Sequence, residues 1–151
     1  MIDLKKNTGG LNDIEYIAHY LVLSKKKQSL NIIGKSIPEI LKGFKVNKKV
    51  LNELSDNYIF LKKLEIFNQL AFNSSSSKIS DDENRYKNIS RLMKIKNGHT
   101  LKTKLNSVMK VNGPTESVKN ISDSTCVRMM VLNLKNLLNL KKLKKKLWAI
   151  M

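Results

Sequence analysis

The sequence predicts an all-α fold, a bundle of about five helices preceded by a short extended lead. Apolar residues recur at helical spacing in several segments, capping residues precede those segments, and strand-rich stretches and internal repeats are absent from the sequence. The chain has 151 residues and 41% of them are hydrophobic, which suits a single domain with a buried core.

Residues 1–10 are predicted to form a strand end and a glycine turn. Ile2 and Leu4 alternate with polar residues, and the pair Gly9-Gly10 then interrupts the chain, because glycine adopts φ angles that other residues avoid. A first helix is expected to begin at Asn12 or Asp13 and to fade near Ser24. Its buried stripe has four members: Ile14, Ile17, Ala18 and Leu21.

Two further helices follow from capping signals and periodicity. Ser36 is a good N-cap with Glu39 at the capping-box position, Pro38 suits the first turn, and Gly43 is predicted to end this short helix. A long helix is predicted over residues 47–72. Its core face is expected to carry Val50, Leu51, Leu54, Tyr58, Leu61, Leu64 and Ala71, widened by Ile59, Phe60 and Phe67.

The second half begins with a serine-rich stretch over residues 73–77, which the composition indicates as a polar loop and the clearest linker in the sequence. The acidic run at 81–83 favours a helix start, and Gly98 is predicted to stop that helix. Another helix is expected from about Thr100 to Val111, followed by a short helical turn through Ile121. The helical domain is thus predicted over 11–122, with a basic, leucine-rich helical tail over 123–151.

The formal net charge of +17 favours polyanionic partners, although lysine-rich coding bias offers an equal explanation. The tail could bind nucleic acid or an anionic membrane, but its pattern favours an ordinary amphipathic terminal helix. Cys126 stands alone, which excludes an internal disulfide and favours a reducing cytoplasm. We expect no signal peptide and no transmembrane segment.

The most informative stretch is residues 3–23, a strand end followed by a glycine turn and a helix N-terminus. Such a turn can direct backbone amides toward an anion, with Lys5 and Lys6 beside it. Asp13 and Glu15 are two residues apart on the helix, so they are not expected to chelate one metal. The competing interpretation is a tight turn followed by an N-capped helix, with no ligand.

This stretch resembles the D-L-K-x-x-x-G-G-L-x-D-I-E-F-x-x-Q-Y-L-x-L signature of glutamine synthetase adenylyltransferases, in the helical domain that follows their C-terminal nucleotidyltransferase core. The matching residues are Asp3, Leu4, Lys5, Gly9, Gly10, Leu11, Asp13, Ile14, Glu15, Tyr20, Leu21 and Leu23, with Tyr16 and His19 departing from the pattern. PII uridylyltransferases, whose related signature reads G-G-L-R-D, rank second. The resemblance is specific over residues 3–23 and only approximate as far as Ile121.

The resemblance implies AMP transfer from ATP to a tyrosine of glutamine synthetase with Mg²⁺, under control of the PII signalling protein. It implies nucleotide binding by Lys5, Gly9 and Gly10. Asp3, Asp13 and Glu15 would orient the turn or fix a domain junction. The family's metal-binding acids follow a Gly-Ser turn as D-x-D, and this sequence has neither pattern. We therefore assign no catalytic or metal-binding residue and expect the chain alone to be inactive.

A small basic protein that binds nucleic acid or a ribosome is the alternative from another functional class. Other motifs favour structural roles: the P-loop-like Gly34-Lys35-Ser36 lacks its first glycine, and His19 and His99 have no zinc-ligand spacing. His99 is expected in a loop. The acids at 81–83 could hold a cation but suit a solvated helix start, and Trp148 with four tyrosines forms no stacking platform.

Overall fold

A computed structural model describes residues 1–24, 34–45 and 47–113, which all fall in one compact unit. These ranges contain five helices: α1 (Leu11–Ser24), α2 (Ile37–Gly43), α3 (Lys48–Phe72), α4 (Glu83–Leu92) and α5 (Gly98–Asn112). Two short strands accompany them, β1 (Ile2–Asp3) and β2 (Lys78–Ile79). The all-α prediction and the extended lead are confirmed.

The core lies where the helical stripes converge on α3. The largest fully buried side chains are Leu4, Leu11, Ile14, Leu41, Leu51, Leu54, Leu61, Leu64, Ile79, Ile89, Leu101 and Leu105. The long helix follows its predicted face with two corrections. Ala71 is exposed, and Ile59 lies at the edge of the surface with 36% exposure. Ala71 lies in the last turn of α3, beyond its last buried residue, Asn68, and Ile59 lies beside the buried stripe rather than on it.

The capping signals of α2 act as predicted. The side chain of Glu39 accepts hydrogen bonds from the backbone amide and the hydroxyl of Ser36, at 2.8 and 2.6 Å. The Ser36 side chain in turn accepts from the backbone amide of Glu39, which completes the capping box. The carboxylate is stabilised in its charged form, so the pKa of Glu39 lies below its usual value.

The serine-rich stretch is a loop, as predicted, but it packs within this domain and does not link separate parts of it. β1 and β2 pair antiparallel with Ile2 opposite Ile79, which joins the start of the chain to the end of the loop. The buried Asn68 side chain on α3 donates to the carbonyl oxygens of Ser76 and Lys78, at 3.3 and 3.4 Å. Serine composition indicated a flexible linker, but these carbonyls have fixed partners.

Gly98 begins α5, so the prediction that it stops the preceding helix is wrong. α4 ends at Leu92, and the chain turns through Lys94, which has a φ of 55°. Asn97 caps α5 by accepting from the Thr100 amide at 2.7 Å. A Cβ on Gly98 would lie 2.9 Å from the backbone nitrogen of Lys87, so glycine serves here for close approach between α4 and α5.

In the described ranges, none of the helices combines the length and apolar character that a membrane span requires. The predicted helical turn through Ile121 and the predicted tail over 123–151 lie outside the described residues, as do Cys126 and Trp148.

Candidate functional site

The glycine turn is organised by the side chain of Asp3. Its Oδ1 atom accepts hydrogen bonds from the backbone amides of Lys5 and Lys6, at 3.0 and 3.1 Å, and from the hydroxyl of Ser77 at 2.9 Å. Burial by itself raises the pKa of Asp3, but the three donors outweigh it and hold that pKa below its usual value. Asp3 therefore fixes both the turn and the loop beside it.

The two glycines are required by space as well as by backbone conformation. Gly9 has a φ of 79°, and a Cβ at this position would lie 1.8 Å from the carbonyl oxygen of Met109. At Gly10 a Cβ would lie 2.7 to 2.8 Å from three carbonyl oxygens of the turn. The turn thus packs directly against the backbone of α5, a contact that only a residue without a side chain permits.

The amides of this turn already have partners inside the protein. The Gly9 amide donates to Asp13 Oδ2 at 2.7 Å, and the Gly10 amide donates to the carbonyl oxygen of Asn7 at 2.8 Å. The Leu11 and Asn12 amides donate to the carbonyls of Leu4 and Lys5. In this conformation the geometry is that of a tight internal turn, and these amides do not point at an open anion site. Nucleotide binding by Gly9 and Gly10 stays a prediction.

Asn112, at the end of α5, locks the turn in place, and sequence reasoning missed it. Its Nδ2 donates to the Gly9 carbonyl at 3.0 Å, while its Oδ1 accepts from Asn57 Nδ2 at 2.8 Å. Asn112 is 1% exposed, so these are the bonds that compensate for its burial. A signal was present: Asn112 continues the buried stripe of Leu101, Leu105 and Val108, an unusual place for an amide.

Lys5, the predicted phosphate contact, lies beside the buried carboxylate of Glu65 on α3. Its Nζ is 3.1 Å from Glu65 Oε1, but without hydrogen-bond geometry. Lys62 provides the hydrogen bond, to the other oxygen, at 3.2 Å. Glu65 is 5% exposed, and these two lysines are the cations that compensate for its burial. Lys5 thus serves an internal ion pair here, and its role toward a nucleotide remains a prediction.

Asp13 and Glu15 point to different partners, as their spacing predicts. Asp13 closes the glycine turn, whereas Glu15 Oε1 accepts from the hydroxyl of Tyr58 on α3 at 3.0 Å. Burial and the neighbouring Glu15 carboxylate both raise the pKa of Tyr58, so the phenol keeps its proton and remains a donor. The bond ties α1 to the middle of α3.

A shallow open cleft of about 470 Å³ lies next to the turn. Its lining includes Lys6, Asn7 and Thr8 from the turn, with Asn106 and Met109 from α5. Of the charged residues proposed around the turn, Lys6 reaches this cleft, whereas Lys5 is held by Glu65. A ligand at the turn would therefore meet Lys6 first.

The other residues considered as possible ligands stabilise the fold or lie on its surface. Ser36 caps α2, Asp82 caps α4, and Asp81 pairs with Lys102 on α5 at 2.5 Å. His19 is exposed on α1, and His99 lies in the first turn of α5, so its assignment to a loop is wrong. Within the described ranges, no three His, Cys, Asp or Glu side chains are grouped so that they could hold a metal ion.

Comparison with models of known protein families finds a match over most of the chain. The family model of GlnD PII-uridylyltransferase matches residues 1–123, which include every described element. No curated protein and no solved structure matches the chain significantly. The match agrees with the nucleotidyltransferase character that the resemblance implied, and it favours the second-ranked family, the PII uridylyltransferases, over the adenylyltransferases.

Proposed function

The chain belongs to the GlnD PII-uridylyltransferase family, and from that premise we propose that it is the helical domain of a PII uridylyltransferase. In such an enzyme the domain would support transfer of UMP from UTP to the PII protein, with Mg²⁺ held by a separate nucleotidyltransferase core. The observation that carries the proposal is the family match over residues 1–123, which spans the whole described bundle.

The domain's proposed role is to present the glycine turn to that core in one fixed geometry. Three independent restraints support this: the Asp3 hydrogen bonds, the close packing of Gly9 on Met109, and the Asn112 bridge to the Gly9 carbonyl. A surface held by this many short-range contacts changes little on binding, which favours positioning over an adaptable binding loop. Lys6, exposed beside the turn, is the residue that we propose contacts the nucleotide phosphates or the core.

A second candidate is the helical domain of a glutamine synthetase adenylyltransferase, which would use ATP. One observation favours it: the D-I-E continuation after the glycine turn is built into the bundle, because Glu15 accepts the hydrogen bond from Tyr58. The two candidates share a scaffold role and differ in nucleotide and in target protein.

The test is reconstitution with separate nucleotidyltransferase cores. The chain is mixed with a core from each enzyme class, with PII or glutamine synthetase as acceptor, and labelled UTP or ATP with Mg²⁺. We expect UMP incorporation into PII to rise on addition of the chain to a uridylyltransferase core, and no incorporation by the chain alone. A Gly9→Ala chain, which cannot hold the turn, serves as the matched control.

AMP incorporation into glutamine synthetase, stimulated by the chain only with the adenylyltransferase core, would replace the first candidate by the second. Incorporation by the chain without any core would contradict the scaffold role for both.

A further inference from the structure

The segment from Asn84 to Asn112, which contains most of α4 and all of α5, holds eight lysine or arginine residues and not one aspartate or glutamate. The described residues up to 72 instead hold nine lysines with seven acids. A coding bias toward lysine adds lysines along the whole chain, but it does not by itself separate the acids from them. Among the described residues, the charge imbalance is therefore concentrated between Asn84 and Asn112.

Three of the eight cations are engaged by the fold. Arg85 donates to Asn68 at 3.0 Å and stacks over the Phe72 ring at 4.1 Å. Lys102 pairs with Asp81, and Lys104 lies 4.7 Å from the centre of the Phe60 ring. The other five form no ion pair within the described residues: Lys87, Arg91, Lys94, Lys96 and Lys110.

Four of these five lie close together along the chain, in the second half of α4 and in its connection to α5. Lys87 and Arg91 are one turn apart on the exposed face of α4, and Lys94 and Lys96 lie in the connection to α5. His99, at the start of α5, lines the same cleft of about 350 Å³ as Lys87. The side chains of these four cations and of His99 are all exposed. We call these residues, Lys87, Arg91, Lys94, Lys96 and His99, the α4–α5 basic surface.

We propose that the α4–α5 basic surface binds the phosphate backbone of nucleic acid. Phosphate contacts in such complexes come from Lys and Arg together with Ser, Thr and Asn donors. Exposed donors surround this surface, namely Asn84, Asn88, Asn97, Thr100 and Thr103. A membrane-binding helix would instead present several large apolar residues beside its cations. Between Lys87 and His99, the large apolar residue that is exposed is Leu92.

This inference goes beyond the proposed scaffold role and does not depend on it. We expect the surface to bind nucleic acid without regard to base sequence. It offers cations and short hydrogen-bond donors, and none of its five residues is Phe, Tyr or Trp. Binding would follow counterion release, with affinity falling as salt rises.

The test compares two variants of the full chain that lose the same charge. In the first, the surface is neutralised by Arg91→Gln, Lys94→Gln and Lys96→Gln. In the second, three exposed lysines of the mixed-charge half are replaced, by Lys35→Gln, Lys49→Gln and Lys63→Gln. The probe is a labelled single-stranded RNA of about 20 nucleotides, measured by fluorescence anisotropy across a salt series. Parallel measurements use vesicles containing an anionic phospholipid.

We expect the surface variant to bind RNA on the order of 10- to 100-fold more weakly at about 0.1 M salt, with a salt slope smaller by about 2. The scattered variant should lose no more than about threefold, since long-range charge alone changes. Circular dichroism serves as the control for folding, and both variants should keep the helical content of the parent.

Equal losses in the two variants would overturn the proposal, because they would show a dependence on net charge alone. Failure of the parent chain to bind RNA would overturn it too. If the surface variant lost binding to vesicles and kept binding to RNA, the proposal would also be overturned. The surface would then be assigned to membrane binding. None of these three results would bear on the reconstitution of uridylyl transfer.

Discussion

The two halves of this bundle use charge in opposite ways. Around the glycine turn and α1–α3, acidic side chains are matched to specific donors: Asp3 to the turn amides, Asp13 to Gly9, Glu15 to Tyr58 and Glu65 to two lysines. Across Asn84–Asn112 acids are absent, and most cations face solvent. Charge fixes geometry in the first region and is left available for a partner in the second.

The difference matters for how the domain can work. Short hydrogen bonds to buried or half-buried groups hold a surface in one conformation, because breaking any of them leaves a polar group without a partner. Exposed cations hold little structure, since solvent and salt screen them. The first region should therefore respond to substitution in stability, and the second in binding.

The largest effect is expected from Gly9→Ala. The added methyl would meet the Met109 carbonyl, and the positive φ disfavours alanine, so we expect a loss of about 3–5 kcal/mol in the free energy of unfolding. Thermal unfolding followed by circular dichroism should show a fall in Tm of more than about 12 °C.

The control is Gly34→Ala, which has a similar φ of 83° but open space around the new methyl. It should lose only the conformational part, about 1–2 kcal/mol. Equal losses at the two positions would show that packing on α5 does not explain the need for Gly9.

Asn112→Ala should follow, with a loss of about 2–3 kcal/mol. The substitution removes a buried amide and leaves both the Gly9 carbonyl and the Asn57 amide without their partner. Urea unfolding measures the change, and Asn106→Ala, exposed on the same helix, should remain within about 0.5 kcal/mol of the parent. If Asn112→Ala matched Asn106→Ala, the bridge to the turn would have no energetic role.

Tyr58→Phe should cost about 1 kcal/mol, because it removes the hydrogen bond to Glu15 while keeping the ring. A double-mutant cycle with Glu15→Ala isolates the pair, since each single change removes the same hydrogen bond. Additive losses in the cycle would mean that the two side chains do not stabilise one another.

The lowered pKa of Asp3 predicts that the free energy of unfolding depends on pH. Its folded pKa lies below the reference value of 3.8, so its carboxylate contributes stability above about pH 4 that is lost as the pH falls through the folded pKa. The Asp3→Asn chain should lose less stability than the parent between about pH 5 and pH 2.5 in urea unfolding. Parallel curves for the two chains over this range would contradict the contribution of Asp3.

The smallest effect is expected from the triple change at Arg91, Lys94 and Lys96. These side chains are exposed and unpaired within the described residues, so the free energy of unfolding should stay within about 0.5 kcal/mol of the parent. A loss of several kcal/mol would break the comparison, because it would place these cations among the groups that hold the fold.

Local sequence signals predicted much of the fold. The capping box at Ser36, the acidic start of α4 and the leucine stripe of α3 act within a few residues along the chain, so they could be identified without tertiary information. Gly98 and the serine loop were misassigned for one reason. Each serves a contact with a residue distant in sequence or on a neighbouring helix, Lys87 for the glycine and Asn68 for the loop.

The glycine turn shows the same division at the candidate site. Its existence, and the divergence of Asp13 from Glu15, followed from composition and helical spacing. Its occupied amides did not, because their acceptors are assigned only when the chain closes on itself. Lys5 and Glu65 are 60 residues apart in the sequence, so no local pattern could have predicted their pairing.

By itself the sequence determined the helical class, most helix boundaries, the family resemblance of residues 3–23 and the absence of acidic residues from Asn84 to Asn112. These follow from periodicity, capping and composition, which are properties of neighbouring residues. Only the tertiary structure decided that Asn112 locks the turn, that Gly9 must lack a side chain because of Met109, and that Lys87 shares a cleft with His99. Such contacts join residues far apart in the chain or on different helices, and their geometry is set by packing rather than by local preference.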